Sequence, residues 1–462
     1  MYFVYSLALA LAALVLLPYW LTKGLRQGKF LSYLSQRLGW SLPSFGHVPA
    51  PSSGVIWIHA VSVGEVLSGV ALARRLKTVY PNRPLAISTT TITGQAVARE
   101  RLPFADAILY FPLDWNSCVR RALNAVQPAI VIILETEIWP NFLRQAQRRG
   151  IPVLFVSGRV SARSFARFQK YLRLFRFVLR PFFASALGHA AGFLMQSERD
   201  ARRVRALGAP SDRVFVSGNL KYDLEPPPST PLSEWLEQEA LRTTRSPLIV
   251  AGSVVATEEP LALLAFGVVQ GEYPRALLVL APRKPARFEA AAEFIEESRR
   301  KWIRRSELPI PLHTELCRTP SSVHTNGAGI PEDATVLLLD SIGELASLYR
   351  LADGVLVGGS LVPAGGHNIL EPAAFGKVAV FGPSMENFAE IASRFVAAEA
   401  ALQVESPEDV GVAWIQLLRD PKRSQRMGEN ARALVETSRG VTDRVLAEID
   451  QHLARSMARG SR

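Results

Sequence analysis

Short, continuously apolar runs recur along the chain, with longer stretches of helical periodicity between them. The first series is Val55–Ala60, Leu85–Thr89, Ala107–Pro112, Ile130–Glu135, Val153–Ser157, Phe193–Ser197 and Val214–Gly218. Pro226, Pro227 and Pro228 interrupt it, and the pattern restarts at Leu248–Ser253, Leu277–Pro282, Val336–Asp340, Val355–Gly359 and Val378–Gly382. Runs without alternation, separated by helices, predict parallel strands buried on both faces in βαβ units. Two doubly wound, Rossmann-like α/β domains with a cleft between them are expected. Tyr2–Leu21 is apolar and uncharged, and about 20 such residues suffice to cross a bilayer. Lys23, Arg26, Lys29 and Arg37 follow at once, a bias that places the downstream chain in the cytoplasm. A cleaved signal peptide would carry positive charge ahead of the apolar run, and none is there. The expected division is a transmembrane anchor at 1–22, a first domain at 45–223, a linker at 224–247 and a second domain at 248–462.

Charge changes the picture, because the net +12 is unevenly spread. Met1–Asp223 carries 28 Lys and Arg against 10 Asp and Glu, a net of +18, and the remainder carries 25 against 31, a net of −6. A basic half attracts polyanions such as anionic lipid or a phosphorylated substrate. No nucleic-acid-binding signature is present, so nucleic acid is not expected as a partner. Ten Lys and Arg and no acidic residue fall between Arg144 and Pro181. Phe165, Phe168, Leu172, Phe175 and Leu179 share one helical face there, with Arg163, Arg167, Lys170 and Arg180 mostly off it. Such a basic amphipathic helix reads as a contact to an anionic lipid surface, or else as a packed helix with a solvated basic face. The two cysteines, Cys118 and Cys317, have no Cys or His close by, which fits a reducing compartment without a disulfide framework.

Ligands of doubly wound sheets sit beyond the carboxyl ends of the strands, so the polar residues that follow each run are the candidates. After the first run comes His59-Ala60-Val61-Ser62-Val63-Gly64-Glu65, with Glu65 in the first turn of a helix. Glu65 could take a proton from a sugar hydroxyl, or simply complement the helix dipole. The fourth run ends in Glu135-Thr136-Glu137-Ile138-Trp139-Pro140-Asn141, where one carboxylate could position an acceptor and the other cap the next helix. In the second domain Ser253 ends a run in small residues. Ala281-Pro282-Arg283 ends the next, and its arginine suits a phosphate. Gly358-Gly359-Ser360 leads on to Gly365-Gly366-His367-Asn368-Ile369-Leu370-Glu371-Pro372. Glycines let the backbone approach a phosphate, and Glu371 could accept hydrogen bonds from ribose hydroxyls. The spacing is neither the dinucleotide fingerprint nor a P-loop. No acidic pair with metal-ligand spacing accompanies these loops. Arginine and helix N-termini are therefore expected to neutralise a leaving phosphate, without a metal or cofactor.

These motifs, together with Ser161-Ala162-Arg163-Ser164 and Gly218-Asn219-Leu220-Lys221-Tyr222-Asp223, resemble in order the 3-deoxy-D-manno-octulosonic acid (Kdo) transferases of lipopolysaccharide assembly. The resemblance implies a GT-B fold, CMP-Kdo as donor, a phosphorylated lipid A precursor (lipid IVA) as acceptor, and metal-free inversion at the anomeric carbon. It makes Glu65 the general base. It places Glu135, Glu137 and Arg163 on the acceptor side, and Ser253, Pro282, Arg283, Gly365, Gly366, Asn368, Glu371 and Lys221 on the donor side. It implies catalytic domains on the cytoplasmic face of a bacterial inner membrane. The stretch Val156-Ser157-Gly158-Arg159 departs from the family in lacking an Asn ahead of the Gly-Arg pair. Two rival readings share parts of this pattern: a lipid-directed GT-B enzyme with a UDP-sugar donor, and a non-enzymatic, membrane-tethered protein that clamps an anionic lipid.

Overall fold

The computed structural model of the chain describes residues 1–27, 30–43, 45, 54–223, 228–243, 245–311 and 329–460. Side chains are described for all of these except residues 13, 16–27, 30–33, 162, 163, 172–174, 176, 240–243 and 456–460. The chain divides into two compact units, Met1–Asp223 with Ser438–Arg462, and Leu224–Thr437.

The first unit is built on a seven-stranded, all-parallel sheet. Its strands are β1 (Val55–His59), β2 (Leu85–Thr89), β3 (Ala107–Tyr110), β4 (Pro128–Leu134), β5 (Val153–Gly158), β6 (Gly192–Met195) and β7 (Val214–Val216). They lie in the order β3-β2-β1-β4-β5-β6-β7. Val55 and Trp57 of β1 and Val131 and Ile133 of β4 enter one core. Ile56, Ile58, Ile130 and Ile132 enter the core on the opposite face. Period-2 alternation between two buried faces is why these runs show no polar side in the sequence. The second unit repeats the plan with β8 (Leu248–Val254), β9 (Leu277–Pro282), β10 (Trp302–Arg304), β11 (Val336–Leu338), β12 (Gly354–Val357), β13 (Ala379–Phe381) and β14 (Ala401–Gln403). The order is β10-β11-β9-β8-β12-β13-β14, again all parallel. Strand order reverses between β1 and β4 in one sheet and between β8 and β12 in the other. These are the points where loops diverge and leave a crevice.

Four expectations are corrected. The chain does not stay in the second unit to its end. Helix Val441–Gly460 returns to the first, where Val441, Val445, Leu446, Ile449 and Leu453 enter the core with Ile56 and Leu154. Asp223 accepts from the N–H of Val441 at 3.3 Å and from that of Thr442, capping the returning helix. The segment 224–247 is not only a linker: helix Pro231–Thr243 belongs to the second unit, with Leu232 and Leu236 buried and Thr230 Oγ1 2.8 Å from Ser347 Oγ. Two edge strands, β10 and β14, were not legible, since each is three residues long and carries no apolar run. The basic amphipathic helix is broken at Phe175 (φ −121°) into Ala162–Leu174 and Arg176–Leu187. Phe165 and Phe168 pack on the core, whereas Phe175 stays exposed.

Tyr2–Gln27 is a helix, and its first turns dock on the first unit. Tyr5 Oη donates to Asp114 Oδ2 at 3.0 Å and Asn141 Nδ2 to Ser6 Oγ at 3.0 Å, while the Arg144 guanidinium covers the Tyr2 ring at 4.4 Å. Phe3, Val4, Leu7, Leu11, Leu14 and Val15 are exposed on it. Among the described residues no helix is long and apolar enough to cross a membrane, and the side chains of residues 16–22 lie outside the description.

The returning helix provides a direct test of the domain division. Ile449 is fully buried in the first unit. Ile449→Ala is expected to cost that unit about 2–5 kcal/mol, the usual penalty for emptying a core position. Chemical denaturation should show the loss in the first unit's transition only. An unchanged transition would remove the helix from this core.

Candidate functional site

Each crevice at a strand-order reversal gathers residues that the sequence singled out. In the first unit Glu65 stands in the first turn of helix Val63–Val79, directly after β1. Ser62, at the N-cap, makes no side-chain cap to the helix; its Oγ donates to Glu65 Oε1 at 2.8 Å. The Val61 N–H donates to Oε2 at 2.7 Å. Glu65 is only 7 % exposed, but its neighbours are polar rather than a sealed apolar core. Burial pushes its carboxyl up to about 7, and the Glu135 carboxylate, then Glu137, adds to the rise against the pull of the two hydrogen bonds. Glu137 is also pushed up, by burial and then by Glu135. Lys221 is drawn down by burial, while the charges of Glu135 and Glu65 hold it up and Arg159 opposes them. Glu65, Glu135, Glu137 and Lys221 therefore share one electrostatic environment. Lys221, expected on the donor side, is placed with the carboxylates of the first unit.

The loop after β4 is held along its length. Glu135 takes a left-handed φ of 57° and its N–H pairs with Val156 O at 2.9 Å. Thr136 Oγ1 accepts from the Arg159 N–H at 2.8 Å. His59 is not part of the chemistry. Its ring stacks on Phe111 at 3.8 Å, Nδ1 faces Ser88 O at 3.2 Å, and burial lowers it to about 3, so it is neutral core. Ser161 accepts from the Ser164 N–H at 3.1 Å and caps helix Ala162–Leu174. The Arg163 side chain lies outside the described residues.

In the second unit Ser253 takes a left-handed φ of 58° at the irregularity between Gly252 and Val254 near the end of β8. A Cβ at Gly358, across from it, would meet Ser253 O at 2.5 Å, so only glycine fits there. Pro282 ends β9 opposite Val254, and the Arg283 N–H pairs with Val254 O at 2.8 Å. The Arg283 guanidinium is drawn down by burial, with Glu371 and then Tyr349 opposing, so the three groups lie within one another's field. Gly365 and Gly366 both have positive φ (88° and 72°), and the Gly366 N–H pairs with Gly359 O at 2.7 Å. Asn368 Nδ2 donates to Glu371 Oε1 at 3.3 Å, and its Oδ1 accepts from the Leu370 N–H at 3.2 Å. His367 is held neutral, lowered to about 3 by burial and then by Arg283. The arrangement offers a guanidinium, a folded-back glycine backbone and a carboxylate, a set that suits a nucleotide phosphate with its ribose.

Two loop-shaping carboxylates were missed. Glu258 is fully buried, and its two oxygens accept from the N–H groups of Val255 (3.2 Å), Gly359 (2.6 Å), Ser360 (3.0 Å) and Leu361 (2.9 Å). It shapes the glycine loop. Asp114 accepts from the Asn141 N–H at 3.0 Å and the Phe142 N–H at 2.8 Å, capping helix Pro140–Arg148 from another element. Each follows a strand end, as Glu65 does, and that signal could have drawn notice to both.

The family model described as 3-deoxy-D-manno-octulosonic-acid transferase (kdotransferase) matches residues 33–224. A 3-deoxy-D-manno-octulosonic acid transferase of Haemophilus influenzae is 32 % identical over 91 % of this chain and 92 % of its own. Another from Bordetella pertussis is 31 % identical over 97 % of this chain and 99 % of its own. Among solved structures, a glycosyltransferase from Rickettsia africae superposes with a TM-score of 0.52 at 14 % identity, over 87 % of this chain and 99 % of that one, a likeness of fold.

The raised Glu65 carboxyl carries a pH signature. Its folded value lies above the ordinary 4.5, so its contribution to stability is whole below about 4.5 and is lost as pH rises through about 7. Glu65→Gln is therefore expected to gain stability over the parent at pH 8, by up to about 3 kcal/mol, and to gain none at pH 4. Thermal unfolding at the two pH values checks this.

Proposed function

The chain belongs to the 3-deoxy-D-manno-octulosonic acid (Kdo) transferase family, and from that premise we propose that it moves Kdo from CMP-Kdo onto a phosphorylated lipid A precursor, lipid IVA. It is a glycosyltransferase that transfers Kdo in lipopolysaccharide biosynthesis. In the proposed reaction Glu65 takes the proton of an acceptor hydroxyl, whose oxygen forms the new bond to the anomeric carbon. The bond from that carbon to the CMP phosphate oxygen breaks, CMP leaves with the electron pair, and the configuration inverts. Glu135, Glu137 and Arg163 serve the acceptor. Ser253, Pro282, Arg283, Gly365, Gly366, Asn368 and Glu371 hold CMP, and Lys221 meets donor charge.

The observation that carries this reading is Glu65 itself. A carboxyl pushed up to about 7 among other acidic groups is matched to proton abstraction near neutral pH. The charge interaction of Arg283 with Glu371 and the positive-φ glycines Gly365 and Gly366 support the nucleotide side. The first half's +18 suits a phosphorylated acceptor.

We place the protein on the cytoplasmic face of a bacterial inner membrane. Exposed Phe3, Val4, Leu7, Leu11, Leu14 and Val15 on the N-terminal helix, and Phe175, Phe177 and Val178 in the basic segment, support attachment to an anionic surface. Extraction with alkaline carbonate separates a helix that spans the bilayer from one that lies in its interface.

Purified protein incubated with CMP-Kdo and lipid IVA should yield product heavier by Kdo in mass spectrometry. Glu65→Ala should lower turnover by about 10²–10⁴ with lipid binding retained. Intact turnover in that variant would favour a binding protein, and heat protection by UDP rather than CMP would favour a UDP-sugar enzyme.

A further inference from the structure

The proposed acceptor loop is fixed at one end by the sheet and at the other by a contact with the N-terminal helix. Helix Pro140–Arg148, into which the loop runs, has Trp139 at its N-cap and no side-chain cap of its own. Its free N–H groups are paired by Asp114, which lies after β3: Oδ2 accepts from Asn141 at 3.0 Å and Oδ1 from Phe142 at 2.8 Å. Asp114 O also accepts from Asn141 Nδ2 at 2.6 Å. Asp114 is 4 % exposed, and burial pushes its carboxyl up to about 7, so each donor that favours the carboxylate counts. One of those donors comes from the N-terminal helix: Tyr5 Oη reaches Oδ2 at 3.0 Å. Ser6, the next residue, accepts from Asn141 Nδ2 at 3.0 Å. Tyr5 also packs on Phe182 with ring centroids 5.4 Å apart, so its hydroxyl is held in place.

We propose that Asp114 and Tyr5 are positioning residues for the acceptor, through which the seated N-terminal helix holds the Glu135–Trp139 loop in its working place. The helix is then more than a tether: its docking sets how well the loop takes the acceptor sugar. This rests on the acceptor role proposed for Glu135 and Glu137. Neither positioning residue touches the reacting atoms.

Tyr5→Phe keeps the ring packing and removes only the hydroxyl. Two readouts on the full chain test it. Amide hydrogen exchange at Asn141 and Phe142 is expected to quicken by about tenfold, the equivalent of one hydrogen bond to a carboxylate, with Leu134 in β4 unchanged. In detergent micelles, where membrane attachment is not required, KM for lipid IVA should rise by a similar factor while KM for CMP-Kdo and kcat hold. Asp114→Asn should move both readouts further in the same direction. Phe3→Ser, on the same helix but 79 % exposed, should move neither. Unchanged exchange at Asn141 and Phe142 overturns the proposal. So does quickened exchange with an unchanged acceptor KM, or quickening spread evenly over the chain. Absence of Kdo transfer by the parent protein would sink the proposed function instead, and the exchange result would stand apart from it.

Discussion

Backbone N–H groups left over where parallel strands end must find acceptors. In this chain buried carboxylates supply them. An unpaired, desolvated N–H costs about 1–3 kcal/mol, so the loops at the carboxyl edge of each sheet cannot settle without partners. Glu258 gathers four such groups, Asp114 two and Asp223 two. Asp200 takes the Val160 N–H at 2.7 Å, and Glu65 takes that of Val61 at 2.7 Å. Each carboxylate ties a loop to a helix start, so the architecture at the sheet edge is an electrostatic one laid over a hydrophobic frame. The frame itself, alternating Val, Ile and Leu into two cores, says where the edge is but not what shape its loops take.

The second ingredient is backbone direction. Glu135, directly after β4, and Ser157 and Ser253, each one residue before the end of β5 and β8, have φ of 57°, 54° and 58°, a conformation L side chains rarely adopt. Such strain costs on the order of 1–3 kcal/mol and persists where surrounding hydrogen bonds over-determine it. Ser157 shows this: its carbonyl accepts from Gln196 Nε2 at 2.9 Å, and its Oγ accepts from the Leu220 N–H at 3.3 Å. That pairing draws the Asn219–Lys221 turn against the end of β5 and sets Lys221 within the field of Glu65 and Glu135. Ser157 and Ser253 mark irregularities in the ladder, after which Gly158 pairs again with Met195 and Val254 with Pro282, whereas Glu135 follows the end of β4 directly.

Legibility followed the range of the interaction. Twelve of the fourteen strands among the described residues could be read, because a strand buried on both faces announces itself in its own residues. The return of helix Val441–Gly460 to the first unit could not, since an amphipathic helix does not say which core it covers. The break at Phe175 was hidden for a related reason: spacing alone made one face of residues that the fold divides between core and surface. Glu65, Glu135, Glu137 and Arg283 stood out as polar groups after apolar runs, and Asn368 and Glu371 as the helix start after a glycine loop. Asp114 and Glu258 occupy the same kind of position but serve N–H groups far away in sequence, 27 residues in one case and about 100 in the other, and no local pattern records such a partner.

Glu65 and Glu258 make an instructive pair. Each follows the first strand of its sheet, β1 or β8, at the reversal of strand order, and each lies at the start of a helix. Glu258 is wholly buried and its two oxygens are taken up by four N–H donors, which ties the glycine loop to the helix start. Glu65 has one N–H and one hydroxyl as donors, lies beside two further carboxylates, and is pushed up to about 7. Its remaining lone pairs and its raised affinity for a proton are what a base requires, and they arise because the surrounding loop leaves it under-supplied with donors. One topological position thus gives a strut when donors converge on it and a carboxyl of raised proton affinity when acids do. In this family member the difference lies in the neighbours, Glu135 and Glu137 on one side and the glycine backbone on the other, rather than in the glutamate itself.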